Sequence, residues 1–182
     1  MQIERTLKSE LIYEGRVFDV ERLDVELEDG TRSVREVVRH GGAVGVIARR
    51  PDGTHILVRQ YRKAVELPSL EIVAGTLEEG EDPAACARRE LLEESGCTAA
   101  SMRYLGRLYP SPGYVSEEIH IFHAVLDDGR GAQSPDEDER LDVLQMTHEQ
   151  IEDAMRDGTI RDSKTLGAWT MYRLHVPEDF AR

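Results

Sequence analysis

Apolar and polar positions alternate in short runs over the first forty residues of the chain. Such alternation is typical of strands that bury one face. The dipeptide Asp29-Gly30 interrupts the runs and favours a tight turn. The pattern predicts antiparallel strands at residues 16–20, 23–27 and 34–38.

The centre of the chain carries two strongly apolar segments, residues 43–48 and 56–60, on either side of a Pro-Asp-Gly turn sequence. This arrangement predicts a central hairpin. A shorter apolar run predicts a strand at residues 70–74. Three more strands are predicted beyond it, with a Pro/Gly loop and a long polar loop between them, at residues 102–108, 118–125 and 141–146.

Boundary signals predict three helices. Asp82 has the side chain of an N-cap, Pro83 suits the first helical position, and Gly96 is suited to end the same helix. Two later helices are predicted at residues 148–157 and 163–175. Strands and helices mix without regular alternation and without an internal repeat, which predicts an α+β fold. We expect an α/β/α sandwich with a mixed central sheet flanked by helices, preceded by an N-terminal antiparallel β segment.

Composition and charge limit the classes of partner. Of the 182 residues, 40% are apolar and 32% are charged, values that suit a folded protein. The formal net charge of -13 argues against non-specific binding to nucleic acid or to an anionic membrane, so neither is expected as a partner.

The first residues have the features of neither a secretory signal nor a transit peptide, so we expect a cytoplasmic protein. Cys86 and Cys97 lack a zinc-ligand spacing, and we assign them no chemistry.

Three carboxylates share one face of the first predicted helix. Glu90, Glu93 and Glu94 lie at i, i+3 and i+4, where like charges repel, and the negative end of the helix dipole adds to the cost. The helix alone leaves two interpretations open. One is a solvated acidic face paired with Arg88 and Arg89. The other is a site for a divalent cation, and Mg²⁺ suits it because that ion prefers hard oxygen ligands and retains water.

The longer stretch GTLEEGEDPAACARRELLEESGC, residues 75–97, favours the metal site because it resembles the Nudix box at its fixed positions. The last position, Cys97, departs from the aliphatic residue that is usual in the family. The resemblance implies that Glu90 and Glu94 are the principal metal ligands, that Glu93 acts beside them as a catalytic carboxylate, and that the carbonyl of Ala74 joins the metal shell. It also implies the Nudix fold.

The resemblance further implies structural roles within the box. Gly75 and Gly96 are expected to form backbone turns. Glu81 is expected to pair with Arg89 and so to hold the loop against the helix.

Segments outside the box resemble the ADP-ribose pyrophosphatase subfamily. Pro112 and Gly113 lie in a loop about sixteen residues beyond the box, where those enzymes carry a proline, and both are expected to contact the substrate. The acidic loop at residues 134–139 resembles the one that supplies their general base and a further metal ligand. Glu137 is the candidate base and Glu139 the candidate ligand. Because the spacing within this loop varies in the family, the choice between the two glutamates for each role stays open.

Similarity to the same subfamily extends to the segments before the box, at residues 13–18, 35–38 and 58–62. It implies that Arg62 contacts the diphosphate, as suits a guanidinium fork facing phosphate oxygens. Arg35 and Glu36 are expected on the adenosine side. The resemblance also favours a homodimer, with residues 1–40 as the dimerising β segment and residues 41–182 as the Nudix hydrolase domain.

Taken together, the resemblance implies Mg²⁺-dependent hydrolysis of ADP-ribose to AMP and ribose 5-phosphate, with Mn²⁺ as an alternative ion. Two or three metal ions would neutralise the diphosphate and lower the pKa of a bound water, and a glutamate would take its proton. Hydrolysis of another nucleotide sugar, such as a GDP-hexose or ADP-glucose, is the close alternative. A non-catalytic nucleotide sensor of the same fold is the alternative from another class, but such proteins often lose box glutamates that this chain retains.

Overall fold

The computed structural model describes residues 3–127 and 140–180. The chain forms two compact units. Unit 1 comprises Met1–Gly42 and Tyr109–Glu118, and unit 2 comprises Ala43–Leu108 and Ile119–Arg182. The loop with Pro112 and Gly113 therefore groups with the N-terminal strands, a division that the sequence pattern did not indicate.

Unit 1 is built on a three-stranded antiparallel sheet in the order β1 (Arg5–Tyr13), β2 (Phe18–Glu26) and β3 (Arg32–His40). The predicted turn joins β2 to β3, and Gly30 takes a φ of 82°, which glycine adopts without steric cost. The prediction of separate strands at residues 16–20 and 23–27 was wrong, because most of both segments lies in the single strand β2. Strand β1 was missed because all nine of its residues are exposed, so no buried face imposes a clear alternation.

The segment Tyr109–Glu118 pairs with β3 inside unit 1. Val115 forms a parallel bridge with Val38. The N–H of Val38 donates to the carbonyl of Tyr114 at 2.8 Å, and the N–H of Ser116 donates to the carbonyl of Val38 at 2.9 Å. Backbone hydrogen bonds thus attach this segment to the N-terminal sheet.

Unit 2 contains a seven-stranded mixed sheet whose main path runs in the order β10-β5-β4-β9-β8, while β6 pairs with β5 and β7 pairs with β4. Only the β4–β9 pair is parallel among the ladders described. The strands are β4 (Ala43–Arg49), β5 (His55–Arg62), β6 (Leu67–Glu71), β7 (Val73–Thr76), β8 (Ala99–Leu108), β9 (Ile119–Leu126) and β10 (Leu141–Met146). The predicted single strand at residues 70–74 is wrong, since β6 and β7 separate at Ile72 and pair with different strands.

The hydrophobic core lies on both faces of this sheet, as strand β4 illustrates. Ile47 faces one buried cluster, and the alternate residues Val44 and Val46 face the other. Successive side chains of a strand point to opposite faces, so a strand that is covered on both sides is apolar throughout. Burial on both faces therefore explains the continuous apolar run that marked this segment in the sequence.

Helices cover the two faces. Helix α1 (Pro83–Ser95) packs Ala87 and Leu91 into one cluster. Helices α2 (His148–Arg156) and α3 (Ser163–His175) pack Ile151, Ala168, Trp169 and Tyr172 into the other. This arrangement confirms the predicted α+β sandwich with a mixed sheet. The short 3-10 turn Pro177–Phe180 was not predicted.

The predicted boundary signals of α1 are confirmed. A side-chain oxygen of Asp82 accepts a hydrogen bond from the N–H of Ala85 at 3.0 Å, which satisfies one of the unpaired donors at the start of the helix. Gly96 has a φ of 68° at the other end. Within the described residues, none of the helices combines the length and the apolar character that crossing a membrane requires.

Candidate active site

The acidic face of α1 is largely buried. Glu94 is only 1% exposed, and the side chain of Glu90 is 12% exposed, whereas that of Glu93 is 38% exposed. A carboxylate that leaves water loses a large hydration energy, so it is retained in an interior only with compensating partners. The burial of Glu90 and Glu94 therefore argues against the interpretation of this helix face as a solvated acidic surface.

Two of these carboxylates reach consecutive residues of β7. The N–H of Ala74 donates to Oε2 of Glu94 at 3.1 Å. The carboxyl group of Glu90 lies so close to Gly75 that a Cβ atom at this position would come within 3.0 Å of Cδ, Oε1 and Oε2 of Glu90. The short strand and the helix thus bring Glu90 and Glu94 together.

The structure corrects the role that was expected for Gly75. The residue lies inside β7 and pairs with Val44 of β4 rather than forming a turn. Glycine leaves room there for the Glu90 carboxyl group, which occupies the space that a Cβ atom would take. By contrast, Gly96 has the expected turn conformation at the end of α1.

Arg89 supplies positive charge to the crowded helix face. Its Nη1 donates to Oε1 of Glu90 at 2.6 Å and to Oε2 of Glu93 at 3.1 Å. Its Nε and Nη2 donate to the two carboxylate oxygens of Glu81 at 3.0 and 2.9 Å, which confirms the expected pair. The hydrogen bonds from Arg89 lower the pKa of Glu81 to about 2. Arg88 instead donates to the carbonyl of Ala99 at 3.3 Å.

The oxygen donors at this place suit a divalent metal ion in their chemistry. Glu90 and Glu94 offer carboxylate oxygens next to the backbone of Ala74, and hard oxygen donors of this kind are what Mg²⁺ prefers. Across residues 3–127 and 140–180, however, no three His, Cys, Asp or Glu side chains are grouped so as to hold an ion. The guanidinium of Arg89 balances part of the negative charge here. Glu139, the further predicted ligand, and Glu137, the predicted base, lie outside the described residues.

Arg62 lies at the end of β5 in the same unit as α1. Its guanidinium forms a two-pronged ion pair with Glu71, with Nε to Oε1 at 2.9 Å and Nη2 to Oε2 at 2.7 Å. Hydrogen bonding to Glu71 is the main cause of the raised pKa of Arg62, and the charge of Glu94 contributes to the same shift. Arg62 is therefore within electrostatic reach of the carboxylate helix. No local pattern in the sequence marks Glu71 as part of the site.

The other predicted substrate contacts belong to unit 1. Arg35 donates from Nε and Nη2 to the carboxylate of Glu4 at 3.0 and 2.5 Å, and Glu36 lies opposite Arg22 in the β2–β3 ladder. Pro112 and Gly113 lie in the Tyr109–Glu118 segment, and a Cβ on Gly113 would meet no heavy atom within 4 Å. The adenosine-side role of Arg35 and Glu36 and the substrate-binding role of Pro112 and Gly113 stay predictions.

Both cysteines are buried. Burial is the main cause that raises the pKa of Cys86 to about 12, and a hydrogen bond to Glu81 adds to it. The thiol is therefore protonated at neutral pH, a state that is a poor nucleophile and a poor metal ligand.

Comparison with known proteins matches this architecture. A family model of the NUDIX domain matches residues 39–166, and a model of the nucleoside diphosphate sugar hydrolase N-terminal domain matches residues 4–38. Both the helix that bears the glutamates and the mixed sheet beneath it lie within the residues that the NUDIX model matches. The chain belongs to the Nudix family of hydrolases.

Several relatives share most of its length. The chain is similar to the methanol dehydrogenase activator of Bacillus methanolicus, with 43% identity over 90% of this chain and 89% of that protein. It is 41% identical to the ADP-ribose pyrophosphatase of Bacillus subtilis over 96% of this chain and 94% of that protein. It is 36% identical to the GDP-mannose pyrophosphatase of Cronobacter sakazakii over 76% of this chain and 80% of that protein.

A solved structure agrees with these relatives. The crystal structure of an ADP compounds hydrolase superposes with a TM-score of 0.83 at 27% sequence identity. The similarity covers 96% of this chain and 95% of that chain. Both units of the present fold thus have a counterpart of known structure.

Proposed function

We propose that this protein hydrolyses the diphosphate of ADP-ribose to AMP and ribose 5-phosphate in the presence of Mg²⁺. The observation that carries the proposal is that Glu94 and Glu90 contact the consecutive residues Ala74 and Gly75 of β7. The charge of Glu94 also contributes to the raised pKa of Arg62. A nearly full-length relative that is named an ADP-ribose pyrophosphatase supports the choice of substrate.

Each residue of the site has a separate proposed role. Glu90 and Glu94 would hold the divalent ion, with the backbone at Ala74 beside them; when bound, such an ion neutralises phosphate charge and makes water more acidic. Arg62 binds diphosphate oxygens through its guanidinium. The oxygen of a water molecule attacks phosphorus, the bridging P–O bond breaks, and the proton of the water passes to a carboxylate. Glu137 is proposed as that base, Glu139 as a further ligand, and Glu93 as a catalytic carboxylate next to Arg89.

A second candidate is the hydrolysis of another nucleoside diphosphate sugar. A relative named GDP-mannose pyrophosphatase shares 36% identity with the chain, and the N-terminal segment matches a nucleoside diphosphate sugar hydrolase domain. The same carboxylates and arginine act on the diphosphate, which all these substrates share. Discrimination between them therefore depends on contacts with the base and the sugar.

A comparison of substrates decides between the two candidates. We expect kcat/KM for ADP-ribose to exceed that for GDP-mannose and ADP-glucose by at least about tenfold, a difference of roughly 1.4 kcal/mol. Chelation of divalent ions by EDTA should abolish turnover, and added Mg²⁺ should restore it, with Mn²⁺ as a partial substitute. Equal or faster turnover of GDP-mannose would favour the second candidate, and turnover that resists EDTA would contradict the metal dependence.

We also propose that the protein is a homodimer formed through residues 1–40, with residues 41–182 as the catalytic domain. Large apolar side chains on β1 and its neighbours are exposed, and such surfaces are typical of protein interfaces. They are Leu7, Leu11, Ile12, Tyr13, Phe18 and Val34. We expect light scattering to give about twice the 20.6 kDa chain mass. We expect Leu11→Glu to shift that mass towards one chain, and a wild-type mass of one chain would refute the dimer.

A further inference from the structure

A buried carboxylate outside the Nudix box links Arg62 to the rest of the site. Glu71, the last residue of β6, is 2% exposed. Its two oxygens accept hydrogen bonds from Nε and Nη2 of Arg62, at 2.9 and 2.7 Å, and Oε2 also accepts from Nζ of Lys164. Three N–H donors from two cations thus converge on one carboxylate.

Lys164 connects this pair to the start of α3. Its Nζ also donates to Oδ2 of Asp162 at 2.9 Å, and the same oxygen caps the helix by accepting from the N–H of Thr165 at 2.9 Å. The hydroxyl of Thr165 accepts in turn from the N–H of Ile72 at 3.0 Å, the residue after Glu71. The cluster has two carboxylates and two cations, so its charges balance.

Glu71 is ionised in this cluster. Burial alone would raise its pKa, but the hydrogen bonds from Arg62 and the charge of Lys164 outweigh burial and lower the pKa to about 2. The carboxylate therefore carries its full charge near neutral pH. The orientation of the Arg62 fork is set by a permanent charge and by two hydrogen bonds.

The arrangement leaves part of the guanidinium for another anion. A guanidinium has five N–H groups in a rigid plane. Glu71 engages one on Nε and one on Nη2, so three remain on the other edges of the group. The Arg62 side chain is 43% exposed, which makes those edges accessible. A fork held in this way is pre-organised to donate to phosphate oxygens.

Stability alone is a weak reason for such a cluster. Buried ion pairs are often replaceable by apolar residues of similar size without loss of stability, because desolvation offsets the attraction. Position is the stronger reason. Only Ile72 and Val73 separate Glu71 from Ala74, whose N–H binds Glu94. One short segment of chain therefore orients both the arginine and a metal-binding carboxylate.

We propose that Glu71 is a positioning residue that holds Arg62 against the substrate diphosphate, and that Lys164 supplies the counter-charge that keeps Glu71 in place. This inference rests on the proposed function. It extends the site beyond the Nudix box to β6 and to the start of α3, two elements that carry no box residue.

The test is a double-mutant cycle on Glu71 and Arg62, with ADP-ribose as substrate and Mg²⁺ present. Glu71→Gln is expected to raise KM by about tenfold and to change kcat by less than about threefold, because a charged hydrogen-bonding partner of the binding arginine is lost. Arg62→Lys removes the fork. In the Arg62→Lys background, Glu71→Gln should change KM by less than about twofold, because there is no longer a fork to hold.

Two further variants make the test decisive. Glu71→Asp keeps the negative charge beside Lys164, so this variant should remain folded even if Glu71→Gln unfolds. Its shorter side chain no longer reaches Arg62 in the same way, so it should also raise KM. Asp142→Asn breaks another arginine pair on β5, in which Nη2 of Arg59 lies 2.7 Å from Oδ2 of Asp142, and it should leave KM unchanged. Thermal unfolding identifies the folded variants.

An unchanged KM in the folded Glu71 variants would overturn the inference, as would an equal rise in KM in both Arg62 backgrounds. If the wild-type protein is active, either of these results contradicts only the role of Glu71 and does not affect the proposed function. Wild-type protein that turns over no nucleoside diphosphate sugar overturns the proposed function, and the role of Glu71 falls with it.

Discussion

Glu94→Gln is expected to lower Mg²⁺-dependent turnover of ADP-ribose by about 10³-fold while the protein stays folded. The amide keeps an oxygen that can accept the 3.1 Å hydrogen bond from Ala74, so the contact between α1 and β7 is retained. The negative charge is lost, and with it the attraction for a divalent cation. Steady-state kinetics across a range of Mg²⁺ concentrations would measure the loss.

Glu79→Gln is the matched control for this change. Glu79 is exposed in the loop before α1, and the substitution removes a carboxylate from the same segment of the chain. It should leave turnover within about twofold, since exposed charges of this kind contribute little. Wild-type activity in a folded Glu94→Gln protein would show that Glu94 is not a metal ligand.

Gly75→Ala is expected to reduce turnover by about 10²-fold with only a small change in thermal stability. The new Cβ would come within 3.0 Å of the Glu90 carboxyl group. That group is the end of a flexible side chain, so it can move aside cheaply, but it then leaves its place beside Glu94. A misplacement of about 1 Å at a catalytic site can cost about 10²-fold in rate.

Gly167→Ala provides a comparison with the same chemical change. Its Cβ would meet only Cδ2 of Leu108, at 2.9 Å, which is also the end of a flexible side chain. Leu108 packs against the cluster formed with α3, whereas α1 packs into the other cluster. Inside a helix, alanine is favoured over glycine by about 1 kcal/mol, which offsets the small adjustment. Turnover should stay near that of the wild type. A Gly75→Ala protein as active as Gly167→Ala would indicate that the position of Glu90 is not critical.

The two results are separable by their metal dependence. Glu94→Gln removes a proposed charged ligand, so saturating Mg²⁺ should restore little activity. Gly75→Ala retains all the carboxylates and only displaces one, so high Mg²⁺ concentrations should recover part of the turnover. A titration of Mg²⁺ over both variants distinguishes a lost ligand from a displaced one.

Local signals in the sequence were enough to predict much of unit 2. Asp82, Pro83 and Gly96 set the ends of α1 through hydrogen bonds and backbone angles that involve near neighbours. The third helix and the last strand were likewise predicted with the observed bounds, Ser163–His175 and Leu141–Met146. The spacing of Glu90, Glu93 and Glu94 predicted a shared helix face, and the resemblance to the Nudix box predicted a metal site there. The pairing of Glu81 with Arg89 followed from the family pattern.

Other features depend on residues that are far apart in the chain. The exposed strand β1 lacks the buried face that gives a strand its periodic pattern. The split at Ile72 follows from pairing with two different strands. Lys164 reaches Glu71 across 93 residues of sequence, so no local pattern could place the two together.

The sequence by itself determined the family, the helix that carries the glutamates and most of the elements around it, because periodicity, capping and motif spacing act over a few residues. The tertiary structure alone decided that Glu94 is buried, that Gly75 makes room for Glu90, and that Arg62 is held by Glu71. Each of these depends on space and charge shared between separate elements, and only the folded chain brings those elements into contact.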